Sequence, residues 1–189
     1  MGLDDVGRGC LAGPVVAAGV VLDPAHPVPG ITDSKKLNAV QRAAIAEKIR
    51  CQALCCTVAW CDIEEINRYN ILNASLRAMA KCVDKADPQP DFLLIDGNKG
   101  IDTMLIRSET VIGGDYKSAS IGAASILAKV YRDQLMLELH RQFPEFGWDK
   151  NVGYPTSRHY EALATFGYTP CHRTSFRLRT EQIYRKSSG

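Results

Sequence analysis

Several absences narrow the field at once. No apolar run approaches the roughly 20 residues that a membrane-spanning helix needs, so a membrane role is not expected. No two of the seven cysteines (10, 51, 55, 56, 61, 82 and 171) stand in C-x-x-C spacing, which gives zinc little support. Their odd number, with no signal peptide ahead of them, argues against a disulfide framework. Most of them read as small apolar core residues of a chain kept in a reducing, cytoplasmic compartment. The phosphate-cradling loop G-x-x-x-x-G-K-[ST] is missing, which weighs against one common kind of nucleotide-dependent phosphotransferase. There is no internal repeat, low-complexity block or interdomain linker. With 189 residues, 46% of them apolar, the chain can bury the core of one domain, and a monomer is expected.

Net charge is also nearly lacking, at +2, but it is unevenly spread. From Lys150 onward there are seven basic and two acidic residues, whereas residues 1–149 carry 16 basic and 19 acidic ones. An acidic body beside a basic C-terminal quarter can hold metal with one and a polyanion with the other. A solvated basic tail explains the same numbers equally well.

The elements alternate. Val15 to Leu22 is a β-branched apolar run that predicts a buried strand. Asn38 with Gln41 predicts a capped helix to about Arg50, and Ala53 to Trp60 a second strand. Asp62 with Glu65 opens another helix, which Asp87-Pro88-Gln89-Pro90 closes. Phe92 to Ile95 is a strand stopped by Asp96-Gly97-Asn98. Thr103 to Ile106 and Glu109 to Ile112 are two short strands or one interrupted strand. Ser118 to about Gln142 is the longest helix, with small residues in its first half for close packing on a sheet. Helices are expected at Ser157 to Phe166 and around Phe176 to Arg185. Alternating strands and helices indicate a layered α/β domain.

Acidic residues sit where strands end or turn. Asp4 and Asp5 precede the turn Gly7-Arg8-Gly9, Asp96 ends Leu93-Leu94-Ile95, and Asp115 follows Gly113-Gly114. Magnesium and manganese take hard oxygen ligands, so carboxylates converging from separate elements suit them. Taken singly, an Asp before a Gly is more often a turn residue. Asp133 lies one helical turn after Lys129, where an ion pair accounts for it.

Asp4-Asp5-Val6-Gly7-Arg8-Gly9, continued by Leu11-Ala12-Gly13-Pro14, closely resembles the opening motif of the ribonuclease HII family. The resemblance continues in order through Asp33-Ser34-Lys35-Lys36-Leu37, Asp96-Gly97-Asn98, Gly114-Asp115 with Lys117-Ser118, and Ala123 to Val130 with Arg132-Asp133. It ends with Gly153-Tyr154 and Thr169-Pro170 with His172-Arg173 and Ser175-Phe176. Several short motifs in fixed order are far more specific than one.

This resemblance implies a ribonuclease H-like fold over residues 1–189, with a mixed five-stranded sheet, flanking helices and a helical C-terminal part from about residue 150 that binds substrate. It implies Asp4, Asp5, Asp96 and Asp115 as catalytic ligands for Mg2+ or Mn2+. It implies hydrolysis of the RNA strand of RNA–DNA hybrids and incision 5′ of ribonucleotides embedded in duplex DNA, leaving 3′-hydroxyl and 5′-phosphate ends. Gly7, Arg8 and Gly9 would contact the 2′-hydroxyl and Tyr154 would stack on the next sugar. Ser34, Lys35, Lys36 and Lys117 are candidates for phosphate contacts. The family has glutamate where this chain has Asp5, one methylene shorter, so a catalytically weak or inactive hybrid-binding module is the alternative. Only three residues precede Asp4, so the first strand is expected to be short.

Overall fold

In the computed structural model, residues 1–31, 34, 37–103, 105–176 and 178 are described. The expected C-terminal helix falls almost wholly outside them, as do Asp33, Lys35 and Lys36. Five strands, β1 (Gly2–Val6), β2 (Val15–Val21), β3 (Cys55–Cys61), β4 (Phe92–Asp96) and β5 (Arg107–Val111), form one sheet in the order β3-β2-β1-β4-β5. β1 and β3 run antiparallel to β2, while β4 runs parallel to both β1 and β5. The sheet is therefore mixed, as expected.

Alternation along the strands feeds two cores. Val15 and Ala17 of β2 join Leu3 in one cluster with Ile66, Ala74 and Met79 of helix α2 (Ile63–Asp84). Val16, Ala18 and Val20 face the other way, onto Ala46 and Ile49 of α1 (Ala39–Gln52) and the small residues Ala123, Ala124 and Ala128 of α4 (Ala119–Gln142). The predicted capping boxes of α1 and α2 are both formed: Asn38 Oδ1 accepts from the Gln41 amide, and Asp62 Oδ1 from the Glu65 amide, each at 2.9 Å. Gly2 has no room for a Cβ against the Ser120 and Ile121 backbone, so α4 lies directly on β1.

Of the strands expected at Thr103 to Ile106 and Glu109 to Ile112, the second is found as β5 (Arg107–Val111), and the described residues of the first are not strand. β5 sits at the sheet edge with no buried residue, so it lacks the alternation that locates a half-buried strand. Two short helices escaped the sequence pattern, α3 (Gly114–Lys117) and α5 (Trp148–Asn151), because a single turn has no period to detect. A 3-10 turn at Pro144–Phe146, α5 and α6 (Ser157–Phe166) build a third cluster, in which Phe146, Trp148, Tyr160 and Leu163 pack against Leu11, Ala12 and Met136. The C-terminal part thus grips the loop after β1. All seven cysteines are free, and burial pushes the Cys82 thiol up to about 12, which makes it an inert core group. Among the described residues, no helix is long and apolar enough to cross a membrane.

Candidate active site

The central strands β1 and β4 are parallel neighbours, so their C-terminal ends open at the same edge of the sheet. Asp4 and Asp5 lie near the end of β1 and Asp96 is the last residue of β4. Gly97, at φ +102°, turns the chain away immediately afterwards, a conformation that suits glycine. Gly113, left-handed at φ +65°, turns the chain from β5 into α3, which carries Asp115. A cleft of about 370 Å³ opens there, lined by Asp4, Asp5, Val6, Ser34, Asp96, Asp115, Ser125, Lys129 and Tyr154. All four sequence-predicted aspartates share one cavity.

Successive strand residues face opposite sides, and Asp4 and Asp5 are held accordingly. Asp4 is 7% exposed, on the α4 side, where Ser125 hydrogen-bonds its carboxylate and Oδ1 also accepts from the Asp5 amide at 2.7 Å. Burial first, then the negative charges of Asp5 and Asp96, push its carboxyl well above the usual range. Asp5 lies on the α2 side. Its Oδ1 accepts from the Ser75 hydroxyl at 2.8 Å, whereas Oδ2 is buried with no partner. Burial raises its carboxyl too, opposed by the Ser75 bond and the positive charges of Arg8 and Arg173. Asp96 Oδ1 accepts from the Gly114 amide at 2.8 Å, which ties the end of β4 to α3.

Such a site carries more negative charge than its own donors neutralise. Hard oxygen donors, a buried carboxylate oxygen without a partner and a carboxyl driven toward protonation all fit a divalent cation. Among the described residues, no three His, Cys, Asp or Glu side chains are gathered so that they could hold one ion by themselves.

The Gly7-Arg8-Gly9 turn is set from below by two buried arginines. Arg132 is fully buried and donates to the carbonyls of Pro14, Val152 and Ala12 at 3.0, 2.8 and 3.0 Å. Arg173, 1% exposed, donates twice to the Gly13 carbonyl, at 2.9 and 2.8 Å, and once to that of Arg8, at 3.1 Å. Burial lowers the Arg173 guanidinium to about 10. Gly7 has φ +96°, and a Cβ there would run into the Arg132 guanidinium. Gly9 is exposed, and a Cβ on it would come within 4.0 Å of the Tyr154 ring. The turn and Tyr154 therefore stand side by side at the cleft.

Other expectations fare differently. Ser34 lines the cleft, but it is 4% exposed and its hydroxyl bonds that of Ser125 at 2.9 Å. Lys117 is exposed and donates to the Ile112 carbonyl at 2.8 Å, and it is not among the residues lining the cleft. Asp133 forms the expected ion pair with Lys129 at 2.7 Å. Ser75, Ser125 and Lys129 are not among the site residues expected from the sequence: Ser75 and Ser125 stand on helices 70 and 91 residues from Asp5 and Ser34, their partners, and Lys129 is locally explained by its pairing with Asp133.

Residues 1–179 match the family model of Ribonuclease HII. The chain belongs to the ribonuclease HII family. It is 50% identical over 185 residues to the ribonuclease HII of a Ruegeria species, covering 98% of this chain and 80% of that one. It is 50% identical over 181 residues to that of Salinibacter ruber, covering 94% and 90%. Among solved structures, the ribonuclease H2 of Pyrococcus horikoshii superposes with a TM-score of 0.80 at 23% identity, over 100% of this chain and 98% of that one. The ribonuclease HII of Archaeoglobus fulgidus, solved as a complex with PCNA, gives 0.77 at 25% identity, over 95% and 98%. Membership of the ribonuclease HII family makes this chain a metal-dependent endoribonuclease, and the ribonuclease H-like sheet is the fold these relatives share.

Proposed function

We propose that this ribonuclease HII relative hydrolyses the RNA strand of RNA–DNA hybrids and cuts duplex DNA on the 5′ side of embedded ribonucleotides, leaving 3′-hydroxyl and 5′-phosphate ends. The observation that carries the reading is the cleft in which Asp4, Asp5, Asp96 and Asp115, from three separate stretches of chain, meet beside Tyr154.

Asp4, Asp5, Asp96 and Asp115 are the residues that would hold Mg2+ or Mn2+. Bound there, such ions supply a water nucleophile and offset charge on the phosphodiester. The protein's part is to bind and orient. Ser125 and Ser75 aim the first two carboxylates from opposite faces of the sheet, and the Gly114 amide aims the third. The Gly7-Arg8-Gly9 turn can approach a 2′-hydroxyl closely, and that group is the chemical difference between RNA and DNA. Tyr154, 38% exposed at the rim, offers a ring face to the neighbouring sugar. Lys129 adds positive charge at the cleft wall, with Ser34, Lys35, Lys36 and Lys117 as further phosphate contacts.

A second reading has one observation in its favour. Asp5 is a methylene shorter than the family's glutamate, and its Oδ2 is left buried and unpaired, so the chain could bind hybrids and cut them poorly. An end-labelled duplex with a single ribonucleotide, incubated with Mg2+ or Mn2+, separates the two readings. A nick 5′ of the ribonucleotide, with a ligatable 5′-phosphate, is expected. Intact substrate at high enzyme concentration, with the duplex still retained on a gel, would leave only the binding module.

A further inference from the structure

Behind Tyr154 lies a buried chain of ring nitrogens that the cleft itself does not use. Trp148 Nε1, which can only donate, donates to His159 Nε2 at 3.3 Å. A neutral His159 accepting there carries its proton on Nδ1, which donates to the Tyr154 carbonyl at 3.0 Å. His172 Nε2 lies 3.0 Å from His159 Nε2, and its Nδ1 lies 3.0 Å from the Thr169 amide and 2.9 Å from the Thr169 hydroxyl. The indole bond assigns the His159 proton to Nδ1, and each ring is at most 1% exposed. No nitrogen remains for a substrate or a metal. What the chain supplies is an N–H donor aimed at the backbone carbonyl of Tyr154, the aromatic residue lining the cleft among the described residues.

Tyr154 needs such a hold. It follows Val152 at φ +42° and Gly153 at φ +85°, two left-handed residues in a row. Its amide donates to the Asn151 carbonyl at 2.8 Å, and its carbonyl also accepts from the Thr156 amide at 2.9 Å. Arg132 holds the Val152 carbonyl and the Leu11 amide that of Gly153, both at 2.8 Å, and the His159 bond ties the Tyr154 carbonyl to the third core, where Phe146 and Trp148 pack around both histidines.

We propose that His159 is a positioning residue: by donating from Nδ1 it fixes the Tyr154 peptide, and with it the angle at which the ring meets the sugar beside the scissile bond. His159 thereby sets how strongly the enzyme prefers a single embedded ribonucleotide to a continuous RNA strand. The inference rests on the reading of Tyr154 given above.

Two substitutions divide the histidine. In His159→Asn the amide nitrogen falls near Nδ1 and keeps the donor to Tyr154. In His159→Gln it falls near Nε2 and that donor is lost. Both lose part of the network, so both melting temperatures fall. The readout is kcat/KM on a duplex with one ribonucleotide divided by kcat/KM on a uniform RNA–DNA hybrid. His159→Gln is expected to lower this ratio by about tenfold, while His159→Asn keeps the parent value. Placed on Tyr154→Ala, His159→Gln is expected to change the ratio no further, because residues that act as a unit are not additive.

An unchanged ratio in His159→Gln, an equal loss in both variants, or full additivity with Tyr154→Ala overturns the inference while Tyr154 keeps its role. An unchanged ratio in Tyr154→Ala overturns the role of Tyr154 and the inference with it. The unaltered protein gives a test that needs no variant to fold: imidazole nitrogen NMR at neutral pH should find the His159 proton on Nδ1. A proton on Nε2 overturns the proposal.

Discussion

Ser75, on α2, donates its hydroxyl to Asp5 Oδ1 at 2.8 Å across 70 residues of sequence, and it leaves Oδ2 of the same carboxylate buried without a partner. Such a carboxylate is fixed on one side and bare on the other. Asp5→Glu adds the missing methylene and should bring an oxygen further into the cleft. Misplacement by about 1 Å can cost up to about 100-fold in rate, so the predicted gain in kcat/KM is about 10- to 100-fold. Single-turnover cleavage of a ribonucleotide-containing duplex measures it. A slower Asp5→Glu enzyme would mean that aspartate is already the better ligand here.

Asp96→Asn removes a charge and keeps a structural bond. The asparagine Oδ1 can still accept from the Gly114 amide, now bonded at 2.8 Å, so the join between β4 and α3 should survive. The predicted outcome is a loss of at least about 100-fold in cleavage, with a melting temperature unchanged or raised. Equal activity in parent and variant would take Asp96 out of the metal set.

Asp4 couples the same site to pH and to metal. Its folded-state carboxyl is raised, so between its ordinary value near 3.8 and that raised value the folded chain binds more protons than the unfolded one. Without metal, Asp4 therefore costs stability progressively as pH rises through this window. Added Mg2+ should reverse the loss, by about 2.7 kcal/mol at a hundredfold excess over Kd, which is about 5–10 °C in Tm for a chain of 189 residues. Thermal melts across pH, with and without Mg2+, test both parts. In Asp4→Asn the metal-dependent shift should shrink.

The histidine pair predicts the opposite sign at the acid side. Burial, then the neighbouring His159, lowers His172 to about 4, while the unfolded chain titrates near 6.5. Protons therefore bind the unfolded chain first, and the network's stability is lost as pH falls from about 6.5 to about 4. His172→Asn should flatten this part of the stability curve relative to the parent. Taking each effect as a difference from its own variant keeps Asp4 and His172 apart. A parent slope equal to that of His172→Asn would contradict the network.

The parts of the molecule written locally could be read from the sequence, and those written across it could not. Asn38 with Gln41 and Asp62 with Glu65 announce two helix starts, because both halves of each cap lie three residues apart. The run Val15 to Leu22 announces β2 by its β-branched residues. The four aspartates were legible through motif order, and their meeting in one cleft agrees with it. Arg173, in contrast, bonds carbonyls 160 and 165 residues away, and nothing near it in sequence says so. These bonds dock the C-terminal part onto the loop after β1. Lys117, proposed for phosphate by its charge, also donates to the nearby Ile112 carbonyl, a bond that no sequence pattern announces.

The dependence of the first turn on Arg173 has a bearing on synthesis. The guanidinium that sets the Gly13 and Arg8 carbonyls is added 160 and 165 residues after them. A nascent chain halted before residue 173 already carries Asp4, Asp5, Asp96 and Asp115 but lacks the bonds that hold the Gly7-Arg8-Gly9 turn in place.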